Sequence, residues 1–281
     1  MLAYSVLVIV LLFSVAVFYF IFQGFKSPNN PHKAPPEDDD FKVEEIDFPS
    51  IKGGHLYAWK VESNPDNPNL ILVHGWGRNI QRMLPYLKNL SGKGFNLIAF
   101  DARGHGNSHK DGAITMLKFA EDIDTVIDYV MSDNRQKNKE INLLGLSIGG
   151  ASSILAASRN KKINKVVTVG AFAHPLEIMR KQLSDRFVPY IPFTYMFFKY
   201  IKWRTKIDFY SIAPINNIAK MEAKVLLIHG TLDKVVPLKH AWKLKEAQPK
   251  AILWEIPGRG HSDCHFEDEF WVKTTDFLRS K

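Results

Sequence analysis

The ten residues INLLGLSIGG at positions 141–150 decide the fold, because they join an apolar run to a serine between glycines. A stretch rich in alanine and serine, typical of a helix, follows directly. The pattern Gly-x-Ser-x-Gly between a strand and a helix is typical of a sharp turn that strains the serine and exposes its hydroxyl. Glycines are expected at Gly145 and Gly149 because side chains there would clash across the turn. The helix would aim its N-terminus at Ser147 and favour developing negative charge, so the sequence predicts that Ser147 is a nucleophile.

Two later loops supply candidate partners for Ser147. The apolar run 225–228 is followed by Asp233, and the apolar run 252–256 is followed by His261. An acid and then a histidine, each at the end of a later strand, is the chain order expected after a serine of this kind. We therefore predict that Asp233 orients the imidazole of His261, that His261 takes the serine proton, and that Ser147 attacks an acyl carbon. Other candidates in the same region rank second: His240, Asp263 and His265.

The attack would create an oxyanion, which two backbone N–H groups normally bind. One donor is expected from the residue after the nucleophile, which is Ile148. The other is expected in the loop after an earlier strand, where His74-Gly75-Trp76-Gly77 follows the run LILV. We predict that Trp76 is the second donor and that Gly75 and Gly77 let the backbone turn its amides inward. His74 stands in the wrong place in the chain for a triad base, so we interpret it as a residue that shapes this loop.

Several short motifs carry a resemblance to a known family. They are HGWG at 74–77, DARGHGNS at 101–108, GTLD at 230–233 and GH at 260–261. Together with the serine turn they resemble the α/β-hydrolases over about residues 42–280. The most similar branches are the serine-nucleophile ones, monoglyceride-lipase-like and serine-aminopeptidase-like hydrolases. The resemblance implies the α/β-hydrolase fold, a mostly parallel central sheet flanked by helices, and it implies structural roles for Arg103 and His105.

The resemblance also bears on chemistry and cofactors. Branches that use an aspartate nucleophile are disfavoured because position 147 is serine. The motif HGWG differs from the HGGG of many lipases and esterases, which argues against esters of bulky tertiary alcohols but leaves the chemistry intact. An activated serine and two N–H donors suffice for acyl transfer, so we expect no metal and no organic cofactor.

From residue 41 onward, short apolar runs alternate with helix-length stretches. The runs lie at 69–73, 95–100, 141–146, 165–169, 225–228 and 252–256. This alternation predicts βαβ crossovers and a mostly parallel sheet. Runs at 43–48 and 55–61, joined by a turn at 51–54, predict a leading antiparallel pair.

The N-terminal segment differs from the rest of the chain. Residues 2–22 contain no charged side chain, and about 20 such residues suffice to cross a bilayer as a helix. We therefore predict a single-pass transmembrane anchor at 1–23, followed by a flexible polar tether at 24–40 and the hydrolase domain at 41–281. Lys26, Lys33 and Lys42 follow the span and no basic residue precedes it, which by the positive-inside rule places the catalytic domain in the cytoplasm.

About 50 residues separate the runs that end near Ala173 and begin near Lys224, which is more than one helix needs. We predict a small helical cap at about 174–215 over the active site. Ten aromatic residues between positions 187 and 210 are interleaved with lysines and arginines. Such a surface suits a lipid headgroup boundary. Alternatively, the aromatic rings pack the cap onto the sheet domain.

Composition narrows the functional classes. Of 281 residues, 46% are hydrophobic and 23% are charged, which excludes disorder for most of the length. Cys264 is the single cysteine, so neither an intramolecular disulfide nor a cysteine-based zinc site can form. The net charge of +8 suggests an anionic partner, and no basic nucleic-acid-binding module is recognisable. We therefore expect a membrane surface as a partner, and no nucleic acid.

The sequence thus predicts a membrane-anchored serine hydrolase that cleaves carboxylic esters, lipid-like or other acyl esters, through an acyl-enzyme. One alternative is an aminopeptidase-like peptidase or amidase, which would need an acid to hold the substrate amine. Residues 172–206 offer only Glu177 and Asp185 for that role. Another alternative is a catalytically inactive binding module, against which the intact nucleophile, acid, base and oxyanion loop argue.

Overall fold

The structure is a computed structural model that describes residues 2–24, 30–35 and 42–280. The chain divides into two compact units. Unit 1 consists of Met1–Lys26 and His174–Ser211, and unit 2 consists of Ser27–Ala173 and Ile212–Lys281. The N-terminal helix therefore belongs to the same unit as most of the segment predicted as a cap.

Unit 2 contains one sheet of eight strands among the described residues. The strands are β1 Glu44–Pro49, β2 His55–Val61, β3 Asn69–Val73, β4 Asn96–Phe100, β5 Ile141–Leu146, β6 Ile163–Val169, β7 Lys224–Gly230 and β8 Ile252–Ile256. Their order across the sheet is β1-β2-β4-β3-β5-β6-β7-β8. β2 pairs antiparallel with β1 and with β4, and all remaining pairs are parallel. Helices between the parallel strands provide the crossovers.

The helices are α1 Leu2–Gly24, α2 Leu84–Leu90, α3 Met116–Ser132, α4 Ile148–Ala157, α5 Pro175–Asp185, α6 Tyr195–Thr205, α7 Phe209–Ile212, α8 Pro214–Asn217, α9 Lys239–Ala247 and α10 Phe270–Arg279. Short 3₁₀ turns lie at Ile51–Gly53, Ile80–Met83, Ile218–Lys220 and Cys264–Phe266, with a π-helical turn at Tyr190–Thr194. The start of α3 shows how local sequence sets an element boundary. The side chain of Thr115 accepts a hydrogen bond from the backbone N–H of Lys118 and so caps the helix.

Helices cover both faces of the sheet, which is why the central strands β3 and β5 are buried along their whole length. Successive residues of a strand point to opposite faces. On one face, Leu70 and Leu72 of β3 belong to a buried core with Tyr86 of α2 and with Phe270 and Leu278 of α10. On the opposite face, α3 contacts β3, and α4 contacts β5 and β6.

The sheet follows the sequence prediction closely. The predicted runs 69–73, 141–146 and 252–256 coincide with β3, β5 and β8. The leading antiparallel pair corresponds to β1 and β2. The predicted α/β class with a mostly parallel sheet is therefore confirmed.

Unit 1 has a small hydrophobic core of its own, to which the N-terminal helix contributes. Its buried members are Ile21, Leu183, Val188, Phe193 and Phe197. Phe18 meets Phe193 edge-on, with ring centroids 6.1 Å apart, and Phe22 meets Phe197 edge-on at 5.7 Å. Edge-to-face rings at such distances add attraction beyond the area they bury. The C-terminal end of α1 is therefore part of the packing of this unit.

The expectation of a transmembrane helix is not supported. Within the described ranges, no helix combines the length and the hydropathy that crossing a membrane requires.

Part of the predicted tether at 24–40 is described by the structure. Residues 30–35 are described, and the side chain of His32 is buried in unit 2 beside Asp101, with 2.7 Å between Nε2 and Oδ2. The carbonyl oxygen of Asn30 accepts a hydrogen bond from the side chain of Asn79. This short stretch therefore lies against the folded unit because polar groups hold it there. Residues 25–29 and 36–40 of the predicted tether lie outside the described residues.

Candidate active site

Ser147 occupies the turn between β5 and α4. Its backbone angles, φ 54° and ψ −117°, are strongly unfavourable for a residue with a side chain. The backbone N–H of Ser147 donates to the carbonyl oxygen of Val169 at the end of β6, over 2.8 Å. Such strain persists only where the surroundings hold it, and here a neighbouring strand does so.

The glycines of this turn are required by close backbone approach. A Cβ on Gly145 would lie 2.5 Å from the backbone of Gly149, and a Cβ on Gly149 would lie 2.4 Å from the carbonyl oxygen of Val73. These distances are far below van der Waals contact, and backbone atoms cannot move aside as a side chain can. The turn is thereby pressed against the end of β3.

Asp233 and His261 form a hydrogen-bonded pair in the loops after β7 and β8. Nδ1 of His261 lies 2.6 Å from Oδ2 of Asp233. The other carboxylate oxygen, Oδ1, accepts from the backbone N–H groups of Val235 at 2.9 Å and Val236 at 2.8 Å. Because Nδ1 donates to the carboxylate, Nε2 of a neutral His261 is the nitrogen free to accept a proton.

Asp233 is held in its ionised form. Burial raises the pKa of this carboxyl, but hydrogen bonds from His229 and His261 outweigh burial and lower the pKa to about 2. The side chain of Asp233 has no exposed area, whereas that of His261 is 17% exposed. A buried anion beside a partly accessible imidazole suits an acid that orients a base and stabilises its charged form.

Neighbouring backbone positions bring Ser147 and the Asp233–His261 pair to one place. Gly170, directly after Val169, faces the pair: a Cβ there would lie 3.1 Å from Nδ1 of His261 and 3.4 Å from Oδ2 of Asp233. Val169 in turn accepts the backbone hydrogen bond of Ser147. The serine, the acid and the histidine thus lie at the same carboxyl edge of the sheet, where ligands of such folds bind.

The loop that contains Trp76 lies beside Ser147. A Cβ on Gly75 would lie 3.7 Å from Cβ of Ser147, so the two backbones pass closely. Ile148 is the first residue of α4, and a first helical N–H has no acceptor within its own helix. The Ile148 N–H is therefore available to a ligand at the same end of the sheet.

Two buried histidines hold the Trp76 loop. Nε2 of His74 accepts from the backbone N–H of Ala102, and its Nδ1 lies 2.7 Å from the carbonyl oxygen of Gly75, so Nδ1 carries the proton. Nε2 of His105 accepts from the backbone N–H of Gly77 at 3.2 Å. Burial lowers the pKa of His74 and lowers that of His105 to about 3. Both rings are therefore neutral at physiological pH, and their hydrogen bonds to backbone groups hold the loop in place.

No cluster of three or more metal-ligating side chains is found in the described part of the chain. Burial raises the pKa of the Cys264 thiol to about 12, so this cysteine stays protonated and unreactive. The groups assembled at the sheet edge are those of nucleophilic acyl transfer: a serine hydroxyl, an imidazole paired with a carboxylate, and a backbone N–H at a helix start.

Comparison with known proteins identifies the family. The sequence model described as "Serine aminopeptidase, S33" matches residues 65–215, which is more than half of the chain. The chain belongs to that family. It is therefore a member of the α/β-hydrolase superfamily, and the resemblance seen in its motifs is confirmed.

Relatives and solved structures agree with this assignment. The chain is 28% identical over 255 residues to the serine hydrolase BPHL of Homo sapiens, covering 82% of this chain and 85% of that protein. It is 24% identical over 232 residues to the uncharacterized membrane protein YNL320W of Saccharomyces cerevisiae, covering 80% and 76%. The fold matches that of the Pyrococcus furiosus esterase Pf2001 with a TM-score of 0.73 at 21% identity, covering 90% of this chain and 98% of that one. This member of the serine aminopeptidase family thus has the α/β-hydrolase fold.

Two residues near the candidate site were not predicted from the sequence of this family member. His32 supplies a hydrogen bond to Asp101, whose other oxygen accepts from the backbone N–H of Ile80 at 2.7 Å in the Trp76 loop region. His229 lies beside Asp233. Nothing in the residue types marked His32, because it stands in a polar stretch. His229 is a polar residue directly after the apolar run 225–228.

Proposed function

We propose that the protein is a serine hydrolase that cleaves carboxylic esters, with Ser147 as nucleophile, His261 as general base and Asp233 as the acid that orients His261. The observation that carries the proposal is the 2.6 Å hydrogen bond between Asp233 and His261 at the same sheet edge as the strained Ser147. Membership in a serine-hydrolase family supports the same assignment.

The reaction proceeds through an acyl-enzyme. Nε2 of His261 takes the proton of Ser147 as its Oγ attacks the carbonyl carbon, and the resulting oxyanion binds the N–H groups of Ile148 and Trp76. The imidazolium then gives its proton to the alcohol that leaves. Water attacks the acyl-enzyme by the same route, with His261 again as base, and releases the acid and free Ser147.

Substitution of Ser147 by alanine tests this assignment. The variant should lose about six orders of magnitude in kcat, as other triads do when the nucleophile is removed, while folding normally. A fluorophosphonate probe should label the wild type and leave Ser147→Ala unlabelled. Labelling of the alanine variant would exclude Ser147 as the nucleophile, and an unlabelled wild type would favour an inactive binding module.

A peptidase is the second candidate because the family model carries an aminopeptidase description. Aminopeptidase action requires an acid that binds the substrate ammonium, and Glu177 and Asp185 are the acids available between positions 172 and 206. Esters of graded acyl length and aminoacyl amides, compared by kcat/KM, separate the two activities. Faster turnover of aminoacyl amides, with a loss in Glu177→Gln, would replace the ester proposal.

We also propose that unit 1 associates with a lipid surface and holds the enzyme near apolar substrates, with the catalytic unit on the cytoplasmic side. Apolar side chains of both its segments are exposed, including Tyr4, Leu12, Phe187 and Trp203, of which Phe187 is 93% exposed. Exposed basic side chains accompany them: Arg180, Arg186, Lys199, Lys202, Arg204 and Lys206. The description of the yeast relative as a membrane protein supports this proposal.

Vesicle binding by the full chain tests the lipid proposal. Each basic residue near an anionic bilayer contributes about 1 kcal/mol, so neutralising Lys199, Lys202 and Lys206 should weaken binding to anionic vesicles by tenfold or more. Neutralising three exposed lysines of unit 2, Lys137, Lys161 and Lys250, is the matched control. Equal binding by both variants, or no binding to anionic or neutral vesicles at low salt, would contradict the proposal. Protease protection of the catalytic unit in intact cells tests the cytoplasmic side.

A further inference from the structure

A second histidine lies against the acid of the Asp233–His261 pair. His229 is the penultimate residue of β7, four positions before Asp233, and it is 1% exposed. Its Nε2 atom lies 2.7 Å from the carbonyl oxygen of Val236 and 3.4 Å from Oδ2 of Asp233. The reaction described above makes no use of this residue.

The chemistry of its neighbours fixes the protonation of His229. A backbone carbonyl and an ionised carboxylate are acceptors, so the nitrogen that faces both of them carries a hydrogen. The N–H of Nε2 therefore donates to the carbonyl oxygen of Val236, and the Asp233 carboxylate lies close to the same N–H. The carboxylate oxygen that it faces, Oδ2, is the one that also accepts from His261.

His229 completes a closed set of bonds around the carboxylate. The backbone N–H groups of Val235 and Val236 hold Oδ1 of Asp233, and the carbonyl oxygen of Val236 is held by His229. Rotation of the Asp233 carboxylate would therefore disturb contacts at both of its oxygens. The strand end and the following loop act together to keep Oδ2 turned toward His261.

We propose that His229 is a positioning residue for this reaction: its Nε2–H binds the carbonyl oxygen of Val236 and lies 3.4 Å from Oδ2 of Asp233, and it thereby keeps the Asp233 carboxylate in the orientation that aligns His261 for proton transfer from Ser147. The inference rests on the proposed function. His229 is buried behind Asp233. A carboxylate that can rotate would therefore leave substrate binding unchanged, but it would slow the chemical steps. The loss should therefore fall on kcat and spare KM.

Two substitutions at the same position separate positioning from packing. His229→Leu removes the donor, and His229→Gln keeps an N–H at the end of the side chain. We expect His229→Leu to lower kcat by about 10- to 100-fold while changing KM by less than about twofold. His229→Gln should recover kcat to within about fivefold of wild type. His265→Leu is the control, since His265 is also buried and its Nδ1 has no hydrogen-bond partner among the described residues. It should change kcat by less than about threefold.

A spectroscopic readout makes the test independent of substrate. The low-field proton resonance of Nδ1–H in His261 reports its hydrogen bond to Asp233. It should shift or broaden in His229→Leu and return in His229→Gln. An unchanged resonance and unchanged kcat in His229→Leu would overturn the inference. So would equal losses in both variants with equal thermal destabilisation, which would leave His229 a packing role only.

The same readout distinguishes failure of the inference from failure of the proposed function. If the wild type hydrolyses no ester and takes up no fluorophosphonate, the proposed function fails. The resonance of His261 still shows whether His229 orders the carboxylate of Asp233.

Discussion

Replacement of Gly170 by alanine tests the placement of His261 with a single methyl group. Gly170 has φ +67°, and its added Cβ would lie 3.1 Å from Nδ1 and 3.2 Å from Cε1 of His261. Contacts this short force the neighbour to move by a few tenths of an ångström. Asp233, 3.4 Å from the same Cβ, restricts the direction in which the imidazole can yield.

Two effects of different size should follow. The positive φ costs an alanine about 1–2 kcal/mol, which lowers the melting temperature by about 2–8 °C for a unit of this size. A displacement of about 1 Å can cost about 100-fold in rate, so a shift of a few tenths of an ångström should lower kcat by about 3- to 30-fold. KM should change little because the methyl group contacts the triad residues.

A second glycine provides a matched control for the backbone strain. Gly92 has φ +69° and no atom within 4 Å of its added Cβ. Gly92→Ala should therefore show the same thermal destabilisation as Gly170→Ala with wild-type kcat. Ester hydrolysis under single-turnover conditions and thermal unfolding of both variants decide the matter. Equal kcat values for Gly170→Ala and Gly92→Ala would refute the placement of His261 beside Gly170.

Two further predictions concern contacts away from the serine. Burial lowers the pKa of His32, but its hydrogen bonds to Asp101 and the Lys33 carbonyl, together with the charge of Asp101, raise the pKa overall. For Asp101, burial raises the pKa, but the hydrogen bonds that it accepts outweigh burial and lower it. The pair therefore contributes its full stabilisation between about pH 4 and 6.5. His32→Ala should lower the free energy of unfolding, measured in urea, by about 1.5–3 kcal/mol at pH 5.5 and by less at pH 9. A loss that grows toward pH 9 would contradict the ion pair. In unit 1, Phe197 is 1% exposed and Phe187 is 93% exposed. Phe197→Ala should therefore lower the free energy of unfolding by about 3–5 kcal/mol and expose α6 to limited proteolysis, whereas Phe187→Ala should change neither. Equal protease sensitivity of the two phenylalanine variants would contradict the assigned core.

The sheet could be predicted because its signals are local. The run 252–256 is apolar and bounded by turn residues, and it forms β8 without any shift. The turn at 145–149 combines glycine spacing with a strand before it and a helix after it, so both its conformation and its place at the sheet edge followed from the sequence. Alternation of strands and helices then left a parallel order as the favoured solution.

The remaining features depend on contacts between distant residues. His32 stands in a polar stretch that reads as a tether, and its partner Asp101 lies 69 positions away. The role of Gly170 follows from its distance to His261, which no local pattern encodes. The uncharged residues of α1 have the composition of a bilayer helix, yet Ile21 is fully buried among side chains from 183–197. The composition of α1 indicates an apolar surface, but it does not indicate which side chains or molecules cover that surface.

The core of unit 1 has a consequence for the order in which the chain is made. About 150 residues separate Gly24, at the end of α1, from His174, where the second segment of the unit begins. At about 5–20 residues per second, a ribosome needs roughly 9–35 s to produce Phe193 and Phe197 after α1 has been completed. During that interval Phe18, Ile21 and Phe22 lack the partners that the second segment of unit 1 provides. We therefore expect slow translation of the sheet region to increase the aggregation of newly made chains.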